Sequence, residues 1–349
     1  MNHLVTKKSL LLGTIILITT SQIYGYLKYK TFPTGITSIF GDNSAHTKLS
    51  DNYDFSHPVA FTPDNLYLVR SNGSEMTIWE VNSKKLHKTI TLVNEPPLAS
   101  VFSPNGDYFA TATENVVNIW DVNSGGLHKT ITHDTKSVNS IALNHDAQLL
   151  AIGGEDGKIA FWDINSSEKQ QTFTNENPVK KLVLSPNNQH LASVDGKEVK
   201  VWNVNSGQLE RTFLGANYSN YGLAFSPDSR YLAIESKSDG TIKIWDVSNP
   251  NGQLQHTLKT TFDGNITNSI VFSPDGRYLV NSIEDPAYAD TQDANLIKYP
   301  PLTIGFWNTS TGELEKTVSS LTGELALSND GRYLAIGNYN STYILPLKE

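Results

Sequence analysis

From about residue 58 onward the chain is a string of short apolar runs that alternate with polar positions and are cut at regular intervals by turn residues. One stretch shows the design. Ser100, Val101 and Phe102 run into Ser103-Pro104-Asn105-Gly106, and an alternating segment from Tyr108 to Ala112 follows. Pro presets φ at the second turn position and Gly suits the fourth. A polar turn comes next, often Asp-Gly (Asp156-Gly157, Asp195-Gly196, Asp239-Gly240), which is a hairpin signal. A third run carries a Trp, and a turn such as Asn123-Ser124-Gly125 leads into a fourth, Leu127 to Thr132. Alternation of period two predicts strands, and no segment after the N-terminus sustains a helical period.

The pattern repeats. All six Trp share one context, as in NIWDV at Trp120 and KIWDV at Trp245, and the steps between Trp79, Trp120, Trp162, Trp202, Trp245 and Trp307 are 41, 42, 40, 43 and 62. A turn marker precedes each, and its Pro slot falls at Pro63, Pro104, His145, Pro186, Pro227, Pro274 and Asn329. Seven markers thus face six Trp. Sixteen residues separate slot from Trp in repeats one, two and four, and the same count from Asn329 reaches Leu345, so Leu345 stands in the Trp position of a seventh repeat. One four-stranded sheet cannot bury both of its faces. Seven arranged radially can, with the repeated Trp filling the gap between neighbours.

With FSPDGRYL at residues 272–279 and an IWDV-type strand at 244–247, the chain resembles the WD-repeat β-propeller family over residues 45–349, in a divergent, bacterial-type form. The resemblance implies an all-β, seven-bladed propeller of four-stranded antiparallel blades. Members of that family carry Gly-His before each blade, and the His joins a hydrogen-bond network with the Trp. Here only His133 resembles it, without the Gly; Asn94-Glu95-Pro96-Pro97 and Asn175-Glu176-Asn177-Pro178 stand in corresponding stretches. Most blades are therefore expected to lack that network. The chain ends just past the third strand of the seventh repeat. Residues 45–50 (Ala45-His46-Thr47-Lys48-Leu49-Ser50) align with the fourth strand of repeat one and are expected to complete blade seven, removing its open edge.

The first 30 residues differ in composition: Lys7 and Lys8, an apolar core at 10–18, polar 19–22, a second apolar stretch to Leu27, then Lys28 and Lys30. They read as a signal peptide, as a signal anchor, since 18 residues of helix span about 27 Å, or as a leader that is not exported. Residues 31–44 read as a tether. Either exported reading places the propeller outside the cytoplasm, in a cell envelope: membrane-anchored, or secreted or periplasmic if the leader is cleaved. The formal charge is −8; residues 1–30 hold four Lys and no acid, so the remainder carries −12, which argues against a nucleic-acid partner. With no Cys there is neither a disulfide nor a thiol nucleophile.

No nucleophile, zinc or phosphate-loop motif appears, so no catalytic residue, cofactor or metal is assigned. His87 and His128 recur with the repeat and read as scaffold, and Asp121, Asp163 and Asp246 after the Trp read as caps of the next turn. Function is expected where the repeat breaks. The largest break is in repeat six, where Pro274 and Trp307 stand 33 residues apart. The insertion carries Asp285, Tyr288, Asp290, Asp293 and Tyr299, and neighbouring connections offer Tyr218, Tyr221 and Phe262. An acidic, Tyr-rich surface fits a protein-binding patch, and the same residues also fit a plain surface insertion whose apolar side chains fold back on the blade. The spacing of Asp285, Asp290 and Asp293 does not match a calcium loop. The expected role is a non-catalytic, exported and membrane-tethered scaffold for protein partners. The alternatives are a carbohydrate- or peptidoglycan-binding module and a propeller-based oxidoreductase or lyase.

Overall fold

In the computed structural model of the chain, the described residues are 37–38 and 58–347, apart from 72–74, 93–96, 215–221, 237–238, 249–251, 261–268, 285–301, 319–323 and 338–341. They form seven four-stranded antiparallel sheets. Blade two is representative, with strands Ala99–Phe102, Tyr108–Ala112, Val116–Asp121 and Leu127–Thr132 in sequence order. The first strands of adjacent blades contact one another, which sets them at the inner edge of the ring. Among the described residues no helix is long and apolar enough to cross a membrane, and the leader at 1–30 lies outside them.

Each gap between blades holds one hydrophobic cluster, so the core is seven seams rather than one centre. Between blades one and two, Val69, Met76, Ile78 and Ile90 pack on Phe109 and Trp120. Between blades six and seven, Val280, Ile304 and Phe306 pack with Leu334 and Leu345. Leu345 pairs with Leu334 just as Trp79 pairs with Leu68, and it is 1% exposed, so it fills the seventh Trp position.

Two local devices hold the repeat. In the first turn, the residue before the Pro is the hub. Ser103 Oγ donates to Asn105 Oδ1 at 2.6 Å and accepts from the Tyr108 N–H at 2.9 Å. Ser226 with Asp228, Ser273 with Asp275 and Ser328 with Asp330 repeat it. In the third turn, the residue after the Trp caps as expected: Ser124 N–H donates to Asp121 Oδ1 at 2.7 Å and Ser166 N–H to Asp163 Oδ1 at 2.8 Å. Six of the seven blades also carry a bulge at the Trp in the third-to-fourth strand pairing, which twists the outer edge away from edge-to-edge pairing.

A further series joins neighbouring blades. Lys88, Lys129 and Gln171 occupy equivalent places on successive outer strands, and each donates to a backbone carbonyl in the next blade's third turn: Ser124, Asn165 (3.0 Å) and Val204. Blades also touch through their first turns. A Cβ on Gly106, at φ +77°, would sit 2.1 Å from the Phe61 carbonyl oxygen of blade one. Gly106→Ala is therefore expected to cost more than about 1 kcal/mol in urea unfolding, because positive φ and a fixed backbone neighbour act together.

Blade seven contains Glu324–Leu327, Tyr333–Gly337 and Thr342–Pro346, and its fourth position is taken by Thr37–Ser38, which pairs with Thr342–Pro346 at the outer edge. Thr37 pairs with Ile344 and Ser38 with Tyr343. An N-terminal strand thus lies on this edge, upstream of the segment expected there; residues 45–50 lie outside the described residues. The ring is also sealed from within. Val59, Phe61 and Leu68 of blade one pack on Ala335 and Ile344, and Asn329 N–H donates to Asn65 Oδ1 at 2.8 Å.

Candidate partner-binding face

The ring has two ends. Turns from first to second and from third to fourth strand occupy one, the turn face. Second-to-third loops and the connections between blades occupy the other, the loop face. On the loop face, strands Tyr278–Glu284 and Leu302–Asn308 of blade six stay paired to their ends, Ile283 with Thr303 and Glu284 with Leu302. The long insertion therefore leaves from the tip of a regular hairpin. Its Asp285, Tyr288, Asp290, Asp293 and Tyr299 lie outside the described residues, as do Tyr218, Tyr221 and Phe262. The strands that flank those connections, Leu209–Leu214, Leu223–Phe225, Gln253–Lys259 and Ile270–Phe272, open them on this same face.

Below the loop face the repeated Trp are anchored unevenly. Trp120 Nε1 donates to Thr111 at 3.2 Å, Trp202 to Ser193 at 2.9 Å and Trp307 to Asn281 at 2.9 Å. These acceptors share one slot, two residues beyond the Trp's cross-strand partner. In blade three the slot is Ile152, and Trp162 Nε1 has no acceptor. Removing an acceptor leaves a buried donor unpaired, so Ser193→Ala is expected to cost about 1–3 kcal/mol, read from the urea midpoint at constant slope.

In blade four the connection at 175–178, the stretch where the family resemblance would put histidine, supplies amides instead. Asn177 Nδ2 donates to Asp195 Oδ2 at 3.0 Å, and Asp195 Oδ1 accepts from the N–H groups of Lys197 (3.0 Å) and Glu198 (2.8 Å). Lys200 Nζ lies 3.7 Å from Asp195, 3.3 Å from Glu198 and 2.6 Å from Asn175 Oδ1. The Asp195 side chain is 1% exposed and that of Lys200 8%. Sequence reading missed this group, because Asn177 and Lys200 belong to no recurring motif. The signal available was Asp195-Gly196 beside an Asn-rich connection. His133, the one histidine placed as the family would have it, turns elsewhere: its Nε2 lies 3.3 Å from the Thr113 carbonyl of blade two, and burial lowers its pKa below the usual histidine range. It lines a recess of about 490 Å³ between blades two and three, with Glu114, Thr135, Lys136 and Asn139.

A second buried charge lies in blade five. Glu235 is fully buried, at a slot held by Ser71, Ala112, Val194 and Ser282 elsewhere. Gly222 makes room for it, since a Cβ there would meet Glu235 Oε2 at 2.0 Å. Burial lowers the pKa of Lys181, while the charges of Glu324 and Glu235 act in the opposite sense. The connection bearing Tyr218 and Tyr221 joins the ring at this Gly222. Among the described residues, no group of three or more His, Asp or Glu is placed to hold a metal ion.

Comparison with known proteins agrees with this geometry. The WD domain, G-beta repeat family matches residues 89–121, and the Nucleolar protein 10-like, N-terminal domain family matches 111–239. Periodic tryptophan protein 2 of Arabidopsis thaliana is 28% identical over 191 residues, 54% of this chain and 19% of that protein. An uncharacterised WD repeat-containing protein of Synechocystis is 30% identical over 146 residues, 41% of this chain and 40% of that one. Target of rapamycin complex subunit wat1 of Schizosaccharomyces pombe is 32% identical over 115 residues, 32% of this chain and 36% of that one. The chain thus spans less than half the length of each of these relatives. Among solved structures, a chain of the mitotic checkpoint complex superposes with a TM-score of 0.70 over 92% of this chain and 93% of its own, at 18% identity, which is a likeness of fold.

Proposed function

Because the chain is a seven-bladed WD-repeat β-propeller, we propose that it works as a non-catalytic scaffold for protein–protein contact, held at a membrane outside the cytoplasm by its N-terminal segment. The observation that carries this is where the repeat breaks. In six blades three or four residues connect the second and third strands, and in the remaining one, blade six, 17 residues, 285–301, connect Glu284 and Leu302. A rigid ring fixes such a loop at low entropic cost, so binding energy is not spent on ordering a support. Tyr288 and Tyr299 in the loop, with Tyr218, Tyr221 and Phe262 beside it in the fold order, supply the residue types that dominate interface energetics. Asp285, Asp290 and Asp293 favour a partner with basic groups. A relative named as a complex subunit fits this role.

Removing residues 287–298 is expected to abolish capture of the partner, read by cross-linking in the native envelope and mass spectrometry. The melting curve of the ring should stay unchanged. Capture equal to wild type would reject the loop as the contact, and glycan-array binding by the full chain would favour a carbohydrate ligand instead.

A further inference from the structure

We infer that the recess between blades two and three, on the loop face, is a binding site for a carboxylate whose own molecule also carries a cationic group: a free amino acid or the basic C-terminus of a peptide. The site draws on neither the blade-six insertion nor the N-terminal segment. Its volume of about 490 Å³ lies within the roughly 300–1,000 Å³ of small-ligand sites. One wall is the connection from blade two to blade three. Glu155 N–H donates to the Lys136 carbonyl at 3.2 Å and to the Ser137 carbonyl at 3.1 Å. A Cβ on Gly154 would sit 2.4 Å from the Lys136 carbonyl oxygen, so this connection lies tight against blade three. In a trans peptide the N–H points opposite to the carbonyl, so the Ser137 N–H faces away from that blade. The N–H groups of Thr135, Lys136 and Ser137 donate to no group among the described residues, and Ser137 has φ +48°. Successive free N–H groups at such a turn form a concavity that takes an anion.

The side chains divide the charge in a matching way. Lys136 and Glu114 line the recess, both are exposed, and neither makes an ion pair among the described residues. The other polar groups of the wall are engaged. Asp134 pairs with Lys169 at 2.6 Å, and the Asn139 amide donates to Glu155 (2.7 Å) and to the Val179 carbonyl (2.9 Å). One cation and one anion are thus left for a ligand, which suits a carboxylate and a cationic group on one molecule. His133 adds a third open group. It is 6% exposed, its Nε2 donates to the Thr113 carbonyl, and its Nδ1 is buried without a hydrogen bond. The Thr135 carbonyl also faces the ring, outside hydrogen-bond geometry. A neutral imidazole donates from one nitrogen only, so Nδ1 is left as an acceptor for a ligand N–H. Leu98 and Val138 offer apolar contact to the carbon chain between the two charges.

The test follows the backbone amide signals of Thr135, Lys136 and Ser137 by nuclear magnetic resonance of the isotope-labelled full chain. N-acetyl-L-lysine is expected to move all three saturably. N-acetyl-L-lysinamide, which lacks the carboxylate, is expected to leave them in place. N-acetyl-L-norleucine, which lacks the cation, is expected to bind about tenfold more weakly. Lys136→Gln and Glu114→Gln change exposed side chains outside the core, so the ring stays folded. Lys136→Gln should weaken N-acetyl-L-lysine about tenfold, and Glu114→Gln should bring it level with N-acetyl-L-norleucine. Binding of L-lysine that is tighter than that of N-acetyl-L-lysine assigns a free amino acid as the ligand, and weaker binding assigns a peptide end. Equal movement by N-acetyl-L-lysinamide, or no saturable movement with any of the carboxylates, would overturn the site.

Discussion

Replacing Asp195 with alanine is expected to lower the stability of the ring by about 3–5 kcal/mol in urea unfolding, because several buried donors lose their acceptor at once. The carboxylate accepts from the Asn177 amide and from two backbone N–H groups, and it faces Lys200. Truncation leaves three donors without their acceptor and takes from Lys200 one of its two carboxylates, while Asn175 Oδ1 and Glu198 remain beside it. The cost arises from what remains unpaired, so a pair of changes should be milder than their sum. Lys200→Met in the Asp195→Ala background is expected to cost less than Lys200→Met alone. Additive losses would show that the two groups do not act as a unit.

The same carboxylate has a pH signature. Burial pushes its pKa up, but the Asn177 amide, the Lys197 and Glu198 N–H groups and the Lys200 charge outweigh burial and hold it below the ordinary carboxylate range. A depressed folded pKa contributes stability above the unfolded value, and that contribution is lost as pH falls through the folded value. The gap between wild type and Asp195→Ala should therefore be full at neutral pH and shrink in acid.

The second large effect concerns ring closure. A chain beginning at Asn52 is expected to melt about 5–10 °C below one beginning at Thr31, and to aggregate on heating. Strand Thr342–Pro346 would then present its backbone groups as an open edge. A chain beginning at Gly41 separates the two candidate closing segments. With Thr37–Ser38 on the edge, its melting point should already drop to that of the shorter chain. If it melts like the Thr31 chain, residues after 40 hold the edge. If all three melt alike, the N-terminus does not close the ring.

How far the fold was legible depends on what repeats. Seven copies of one turn marker set the blade count, and the spacing from Asn329 located Leu345 without a Trp to mark it. The caps at Asp121, Asp163 and Asp246 were legible for the same reason, since a side chain that bonds within three residues acts through local sequence. The clasps of Lys88, Lys129 and Gln171 recur too, twice as Lys in Leu-His-Lys-Thr and once as Gln171, but the carbonyl that each meets lies in the next blade, a contact that the repeat does not spell out. The network of Asn177, Asp195 and Lys200 was invisible because it joins a connection, a loop and a strand in one blade only.

The sequence alone therefore determined the number of blades, their strand order and the identity of the wedge between them, because these follow from local turn chemistry and from a period that only a closed stack of sheets can satisfy. The tertiary structure decided what stands at the places where the period says nothing. It put Thr37–Ser38 on the edge of blade seven, brought Glu235 against Gly222, and joined Asn177, Asp195 and Lys200 in blade four. Those outcomes depend on how strands from distant repeats are rotated and staggered against one another, and a one-dimensional pattern carries no record of that placement.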